Sequence, residues 1–520
     1  MKNMKFRAFI AFFSILLPVA SSQAQAQGQR QQPPEYKEVV AASRIQDAAA
    51  RLKEFERIKS AYPNANLMAA IDQYILTSKI ELASALADVL NLQKDFIGKS
   101  QGPRRLQNPY MAAAQILEHP KLTNFDKAKV TETILKYEED AVKAASDPET
   151  FKGIPESQQK SYKSFFVTGM KIAVAQAHLN AGDANRALTA LESYKASGGA
   201  PDATYSNTLA EVYAKLGKIN EAYNAYLDAA VEDYKGAKDK AKALYVKING
   251  KPEGFEAQVE AKLKELPYQP EPFKPSADWK GRAVLAEIFT GSECPPCVGA
   301  DLGFDGLIES YPPKYLAILE YHLPIPWPDP IMNPATKKRQ DYYGVNSTPT
   351  VVFDGVKDMS GGGSRGMAEG KFKEYKSEID ARVNAAPAVS LKAKAARTGD
   401  SVKVACEFDK AIPGAEYYVV LVQNEEKYKG SNGIAFHKLV VRDLVVLDPA
   451  GTKQATFDLA ASEQATDRYL TEFENINTRF QGFKFPERHH KIDRQGLKVV
   501  FFAQEKEGQK VLNAVVVEVK

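Results

Sequence analysis

Residues 283–297 read AVLAEIFTGSECPPC, and this stretch decides how the centre of the chain folds. Its first seven residues have the apolar pattern of a buried β-strand, and an amphipathic helix pattern follows the second cysteine. Cys294 and Cys297 therefore lie between a strand and a helix, at a spacing that allows a small disulfide ring. Pro295 and Pro296 suit the first helical turn, where a missing N–H costs nothing.

The position of the first cysteine indicates nucleophilic chemistry. Unpaired N–H groups and the dipole of a helix N-terminus stabilise a thiolate and lower its pKa below the free value of about 8.5. We therefore expect Cys294 to attack and Cys297 to resolve. A zinc site would need a second C-x-x-C pair or a His-x-x-x-His motif. The chain has neither, since its third cysteine is Cys406 and its six histidines are scattered. The sequence thus predicts no metal site and no bound cofactor.

The strand before the cysteines and the helix after them begin an element order of βαβ, a crossover, then ββα. The elements that follow are a strand at 316–321, a helical stretch from 337 to 343, strands at 350–353 and 356–359, and a helix at 368–383. With Cys294, Cys297 and the step Thr348-Pro349, residues 281–386 resemble the thioredoxin superfamily. In that family the proline is cis and lies against the disulfide, and the preceding residue offers its backbone to an extended peptide. The resemblance implies that Pro349 and Thr348 take these substrate-binding roles.

Two points within this region stay open. The buried acid that many cytosolic thioredoxins have before the cysteines is replaced by Ile288, and Glu287 lies one residue out of register. Glu287 is either a proton acceptor for Cys297 or a paired or solvated strand carboxylate. Trp327 lies in the proline-rich crossover at 323–330. Three interpretations of its side chain are open: it covers the disulfide, it contacts substrate, or it packs locally.

Residues 1–26 have the pattern of a secretory signal peptide. Three basic residues precede an apolar run at 8–20, and Ala24-Gln25-Ala26 is a cleavage candidate. No later stretch approaches the ~20 apolar residues of a membrane span. We expect an exported protein of the periplasm or cell envelope, or a secreted one. The 69 basic and 65 acidic residues form no basic stripe, which argues against nucleic-acid binding.

The chain divides by pattern into three domains. Residues 36–266 are helical, and their stretches 174–194 and 209–229 resemble tetratricopeptide repeats. Gly182 and Ala187 in the first are matched 35 residues later by Gly217 and Ala222. Such repeats provide a groove for a protein partner, or they serve as a spacer or dimerisation arm.

A proline-rich linker at 268–275 separates the helical domain from the thioredoxin-like one. Residues 387–520 then alternate in polarity over seven short strands, which predicts an all-β, sandwich-like domain. Cys406 lies on the apolar side of its strand and is expected to be a buried, inert thiol. This multidomain order, with Phe289-Thr290-Gly291 and the Tyr-Tyr-Gly-Val at 342–345, looks like the exported thioredoxin-fold proteins grouped with the Omp28-like outer-membrane family.

Two functions follow as hypotheses. The first is an extracytoplasmic thiol–disulfide oxidoreductase that acts on protein or peptide disulfides through Cys294 and Cys297 and exchanges electrons with an unidentified redox partner. The second is a redox-inactive exported binding or scaffold protein, in which the helical repeats capture a partner and the disulfide is structural. The substrate, the direction of electron flow and the oligomeric state stay open.

Overall fold

A computed structural model describes residues 33–520, except the side chains of Ser157, Lys357 and Asp358. The expected signal peptide at 1–26 lies outside the described residues. The chain forms two compact units: Met1–Gly199 with Asn207–Ala225, and Ala200–Ser206 with Tyr226–Lys520. Among residues 33–520, no helix combines the length and hydropathy that crossing a membrane requires.

Helices follow one another from Tyr36 to Lys264, which confirms the predicted helical N-terminal region. They are α1 Tyr36–Ser43, α2 Ala48–Ala61, α3 Met68–Leu82, α4 Leu86–Gly98, α5 Arg104–Leu117, α6 Lys127–Ser146, α7 Glu156–Tyr162, a π-helix Lys163–Thr168, α8 Gly169–Ala181, α9 Ala184–Ala196, α10 Ala203–Lys215, α11 Ile219–Val231, α12 Ala237–Asn249 and α13 Phe255–Lys264. Side-chain oxygens begin several of them; for example, Asp183 accepts the Arg186 N–H and caps α9.

The 35-residue period corresponds to two successive helical hairpins, α8–α9 and α10–α11. Gly182 and Gly217 form their turns with φ angles of +91° and +74°, a region that glycine enters without steric cost. Ala187 and Ala222 are fully buried. Small side chains thus occupy buried positions in the second helix of each hairpin.

The second unit contains all eleven strands of the described residues. They are β1 Val284–Thr290, β2 Leu316–His322, β3 Thr350–Phe353, β4 Val356–Ser360, β5 Leu391–Thr398, β6 Ser401–Phe408, β7 Ala415–Lys427, β8 Phe436–Leu447, β9 Gln454–Asp458, β10 Leu497–Glu505 and β11 Val511–Glu518. The helices among them are α14 Cys297–Ser310, α15 Pro334–Tyr343, α16 Ala368–Val383 and α17 Leu459–Ile476. One sheet has the order β11-β10-β7-β8-β2-β1-β3-β4, and a second the order β5-β6-β9.

The predicted order βαβ, crossover, ββα is present between Val284 and Val383. Strand β1 runs parallel to β2 and antiparallel to β3, and β4 is antiparallel to β3. Strand β1 is buried on both faces. Leu285 and Phe289 pack on the side of β7 and β10, while Ile288 packs against α14 and α16. Burial on both faces explains why this strand is a nearly continuous apolar run.

Residues 387–520 are not all-β as expected, and four of their seven strands belong to the same sheet as β1–β4. All seven strands form, but the segment also contains the 18-residue helix α17, which Asp458 caps by accepting the Ala461 N–H at 3.0 Å. The three strands β5, β6 and β9 do pack on the larger sheet in a sandwich-like way. Strands β7, β8, β10 and β11 extend the sheet of β1–β4, because β8 pairs in parallel with β2 at Glu320 and Val440.

Candidate active site

A disulfide joins Cys294 to Cys297, with a Cα–Cα distance of 5.4 Å. Helix α14 begins at Cys297, so Pro295 and Pro296 lie in the turn before the helix and not in its first turn as expected. The Cys297 N–H closes this turn by donating to Cys294 O at 3.0 Å. The two prolines are exposed, whereas both cysteines are fully buried.

The predicted substrate-binding step lies next to the disulfide. The Thr348–Pro349 bond is cis, as the resemblance implies. The Thr348 hydroxyl lies 3.4 Å from Cys294 Sγ and donates to Ile325 O at 2.8 Å. Within residues 33–520, the Thr348 N–H and C=O take part in no backbone hydrogen bond. The structure thus brings Cys294, Cys297, Thr348 and Pro349 into one site and leaves the Thr348 backbone available.

A glycine-rich loop closes one side of this site, and sequence reasoning missed it. Gly363 donates its N–H to Pro296 O at 2.7 Å, and its carbonyl accepts the Gly299 N–H at 2.8 Å. A Cβ on Gly362 would meet Pro296 O at 1.8 Å and Pro349 Cγ at 3.0 Å. Only glycine therefore fits between the cysteine turn and the proline ring. The run of three glycines at 361–363 was the available signal.

The loop between β7 and β8, residues 428–435, covers the segment that leads into Cys294. Asn432 donates its N–H to Ser292 O and its side-chain amide to Gly291 O, each at 3.1 Å. Glu293 accepts the Tyr428 hydroxyl at 3.0 Å. Contacts between residues so far apart along the chain leave no mark in the local sequence pattern.

Glu287 proves to be a paired carboxylate on the other face of β1. It is fully buried and accepts two guanidinium nitrogens of Arg339 at 2.8–3.0 Å. The hydroxyls of Tyr343 and Tyr321 donate to it at 2.6 and 3.1 Å. Burial alone would lower the pKa of Arg339, but the charge and hydrogen bonds of Glu287, together with Tyr343 and Tyr321, outweigh burial and raise it. Glu287 is therefore committed to this network and does not face Cys297.

Trp327 does not cover the disulfide. Its side chain is 58% exposed and its ring lies 5.3 Å from that of Phe480, centroid to centroid. The interpretations that remain for Trp327 are local packing and substrate contact.

A buried polar cluster lies beside the cysteine segment. His322 Nδ1 is 2.9 Å from Asp329 Oδ2, and His322 Nε2 is 2.8 Å from Glu320 Oε1. Asp329 also accepts the Ser292 N–H at 2.6 Å, which connects the cluster to the cysteine turn. Burial would lower the pKa of His322, but the charges and hydrogen bonds of Asp329 and Glu320 together outweigh it and raise the pKa to about 10. In this conformation a carboxylate thus holds each ring nitrogen of His322.

Asp301 is a further buried acid that sequence reasoning missed. It lies four residues after Cys297 on α14, and burial and the charge of Glu320 raise its pKa well above the usual range. The Thr290 hydroxyl opposes this rise by acting as a hydrogen-bond donor to the carboxylate. The signal was present, since Asp301 and Asp305 are two acids in an otherwise apolar helical stretch.

No protein-family model, curated protein or solved structure matches the chain. The site is therefore interpreted from its own geometry.

Proposed function

We propose that residues 281–386 form a thioredoxin-like domain and that the protein is a thiol–disulfide oxidoreductase acting on protein disulfides. The observation that carries the proposal is the Thr348 hydroxyl, 3.4 Å from Cys294 Sγ and directly before Pro349. The strand order β2-β1-β3-β4 and the helix that follows the disulfide support it. A disulfide with an unpaired backbone segment beside it suits an extended peptide, which can pair with the chain as an added strand.

The proposed exchange moves two electrons and changes only sulfur bonds. In the reducing direction, the Cys294 thiolate attacks one sulfur of a substrate disulfide, forms a mixed disulfide and releases a substrate thiolate. The Cys297 thiolate then attacks Cys294 Sγ, closes the pair and releases the second substrate thiolate. The same steps in reverse oxidise a dithiol substrate. A second thiol or disulfide protein must restore the starting state.

Burial of the disulfide sets a condition on this chemistry. An in-line attack needs contact with a sulfur atom, and both cysteines are fully buried in this conformation. The proposal therefore includes displacement of a covering segment when substrate binds. The segment at Ile325, whose carbonyl is tied to Thr348, is one candidate, and the 428–435 loop is another.

We place the protein outside the cytoplasm, in the periplasm or cell envelope. The support is the signal-peptide pattern of residues 1–26. An oxidising compartment is also where a disulfide persists.

A trapping experiment tests the proposal. In Cys297→Ser, attack by Cys294 survives and resolution is lost, so mixed disulfides with a disulfide-containing protein substrate accumulate. Cys406→Ser in the same background is the matched control, since it removes the third cysteine and leaves the trap intact. Cys294→Ser is expected to trap nothing. Absence of adducts in folded Cys297→Ser, under conditions where a known oxidoreductase forms them, would refute the proposal.

A second candidate is favoured by the burial of both sulfurs. In it the protein is a redox-inactive binding or scaffold protein, the disulfide is structural, and the paired helical hairpins α8–α9 and α10–α11 bind a protein partner. This candidate predicts no trapping and no loss of partner binding in Cys294→Ser. The oxidoreductase predicts trapping through Cys294, so the same variants separate the two.

A further inference from the structure

Three ionisable side chains from two strands meet in the interior of the second unit. Glu320 and His322 project from one face of β2, and His437 lies at the start of β8. The parallel pairing of β8 with β2 brings His437 to Glu320. All three residues are at most 4% exposed. Ligand atoms of Glu320, His322 and His437 lie within 4.8 Å of one another.

Each histidine is held by a second partner that fixes its orientation. His437 Nε2 lies 2.9 Å from Tyr428 O, and a carbonyl only accepts, so this nitrogen carries the proton. His322 Nδ1 is held in the same way by the Asp329 carboxylate at 2.9 Å. The other nitrogens, His437 Nδ1 and His322 Nε2, then face Glu320 Oε1 at 3.7 and 2.8 Å. Metal-ligating histidines characteristically donate their second N–H to a carboxylate or a backbone carbonyl.

Asp301 is a neighbouring buried acid on α14, and the charges of Glu320 and His322 both act on it. The Thr290 hydroxyl serves as its hydrogen-bond donor. Asp301 lies outside the group of ligand atoms that are within 4.8 Å of one another, so it is not counted among the ligands.

The charge of the cluster points the same way. Glu320 and Asp329 are two acids on either side of His322, whereas the neighbouring Lys438 is already paired with Asp305 at 3.3 Å. A divalent ion with two neutral imidazoles offsets both of these negative charges. A single imidazolium offsets one.

We propose that Glu320, His322 and His437 bind one divalent transition-metal ion of the zinc class. Two imidazoles and one carboxylate supply three positions of a tetrahedral site, and bonds of about 2.0–2.2 Å place such ligand atoms about 3.3–3.5 Å apart. The distances of 2.8 and 3.7 Å are close enough to be adjusted by small side-chain rotations. The ion displaces the proton between His322 and Glu320, which is released to solvent.

Three positions come from these side chains, and the fourth is left for water or another oxygen ligand. The ion would tie β2 to β8, next to the segment that leads into Cys294. Asp329 acts as a positioning residue, because it holds both His322 and the Ser292 N–H. The sequence showed no metal motif because His437 lies 115 residues after His322.

Cobalt(II) is the probe for this site. The full chain is unfolded with a chelator, refolded, and titrated with Co²⁺, followed by visible absorption and X-ray absorption. We expect one Co²⁺ per chain, four-coordinate d–d bands that Zn²⁺ abolishes, and only nitrogen and oxygen ligands. Asp329→Asn should weaken binding about 10–100-fold, and His437→Gln by more. His489→Gln, a histidine paired with Glu426 outside the cluster, should leave binding unchanged.

Three results would overturn the proposal. They are a folded wild-type chain that binds no Co²⁺, sulfur scattering at about 2.3 Å that reveals a thiolate ligand, and equal affinity in His437→Gln. If His437→Gln does not fold, the X-ray absorption of the wild-type chain decides between two imidazoles with oxygen ligands and any other set. A Cys294→Ser/Cys297→Ser chain should bind Co²⁺ as the wild type does.

Discussion

Replacing Glu287 by glutamine should destabilise the second unit strongly. The substitution keeps the size of the side chain but removes the negative charge that balances Arg339, whose side chain is 1% exposed. Arg339 would then have only neutral partners, including the Gln504 oxygen at 3.0 Å and the Tyr343 hydroxyl at 2.8 Å. Breaking a buried ion pair by removing one partner costs about 3–5 kcal/mol, because the other charge stays buried without compensation. We therefore expect the free energy of unfolding to fall by about 3–5 kcal/mol.

A double-mutant cycle separates the charge from the packing. Arg339→Met removes the second charge and keeps an unbranched apolar chain, so the double variant leaves no buried charge uncompensated. We expect it to be more stable than Glu287→Gln alone. The coupling energy between the two positions should reach about 2 kcal/mol or more.

Tryptophan fluorescence during denaturant unfolding measures this effect in the relevant unit. Both tryptophans, Trp279 and Trp327, belong to the second unit, so their signal follows that unit. Trp279 is anchored there by its Nε1–H, which donates to Arg282 O at 2.8 Å. A loss below about 1 kcal/mol in Glu287→Gln, or a double variant less stable than both single ones, would contradict a buried pair of this strength.

Three further predictions concern other parts of the second unit. Cys406 is 3% exposed and burial raises its pKa to about 11, so a thiol reagent should detect no thiol in the native chain and one after denaturation without reductant. Although burial favours the neutral acid, a backbone N–H and two basic side chains lower the pKa of Glu463 from 4.5 to about 2. The unfolded chain therefore protonates Glu463 at a higher pH than the folded chain does. Above pH 4.5 the ionised carboxylate contributes about 3 kcal/mol of stability, which should be lost as the pH falls towards 2. Acid denaturation curves of Glu463→Gln should show a smaller loss of stability over this range. A Cβ on Gly430 would lie 2.2 Å from Ser292 O, so Gly430→Ala should cost about 1–3 kcal/mol in the fluorescence assay, whereas Gly370→Ala, an open helical position, should gain up to about 1 kcal/mol.

Local patterns were enough to predict the elements around the disulfide. The apolar run of β1, the cysteine spacing and the Thr348-Pro349 step each depend on neighbouring residues, and the structure places the four site residues together. The alternation of residues 387–520 likewise predicted every strand in that segment.

Long-range pairing was not predictable in this way. The contact of His437 with Glu320 and the cover of Ser292 by Asn432 depend on β8 lying beside β2, and a single parallel register point at Val440 makes that connection. Helix α17 was missed for another reason. Its cap Asp458 is also the last residue of strand β9, so the strand pattern concealed the start of the helix.

A redox titration of the purified chain tests the central claim most directly. The disulfide between Cys294 and Cys297 is equilibrated with defined ratios of reduced and oxidised dithiol, and the fraction reduced is read from alkylation of the two cysteines. An oxidoreductase predicts a midpoint potential between about −270 and −120 mV. A midpoint far below about −300 mV, where inert structural disulfides lie, would contradict the account.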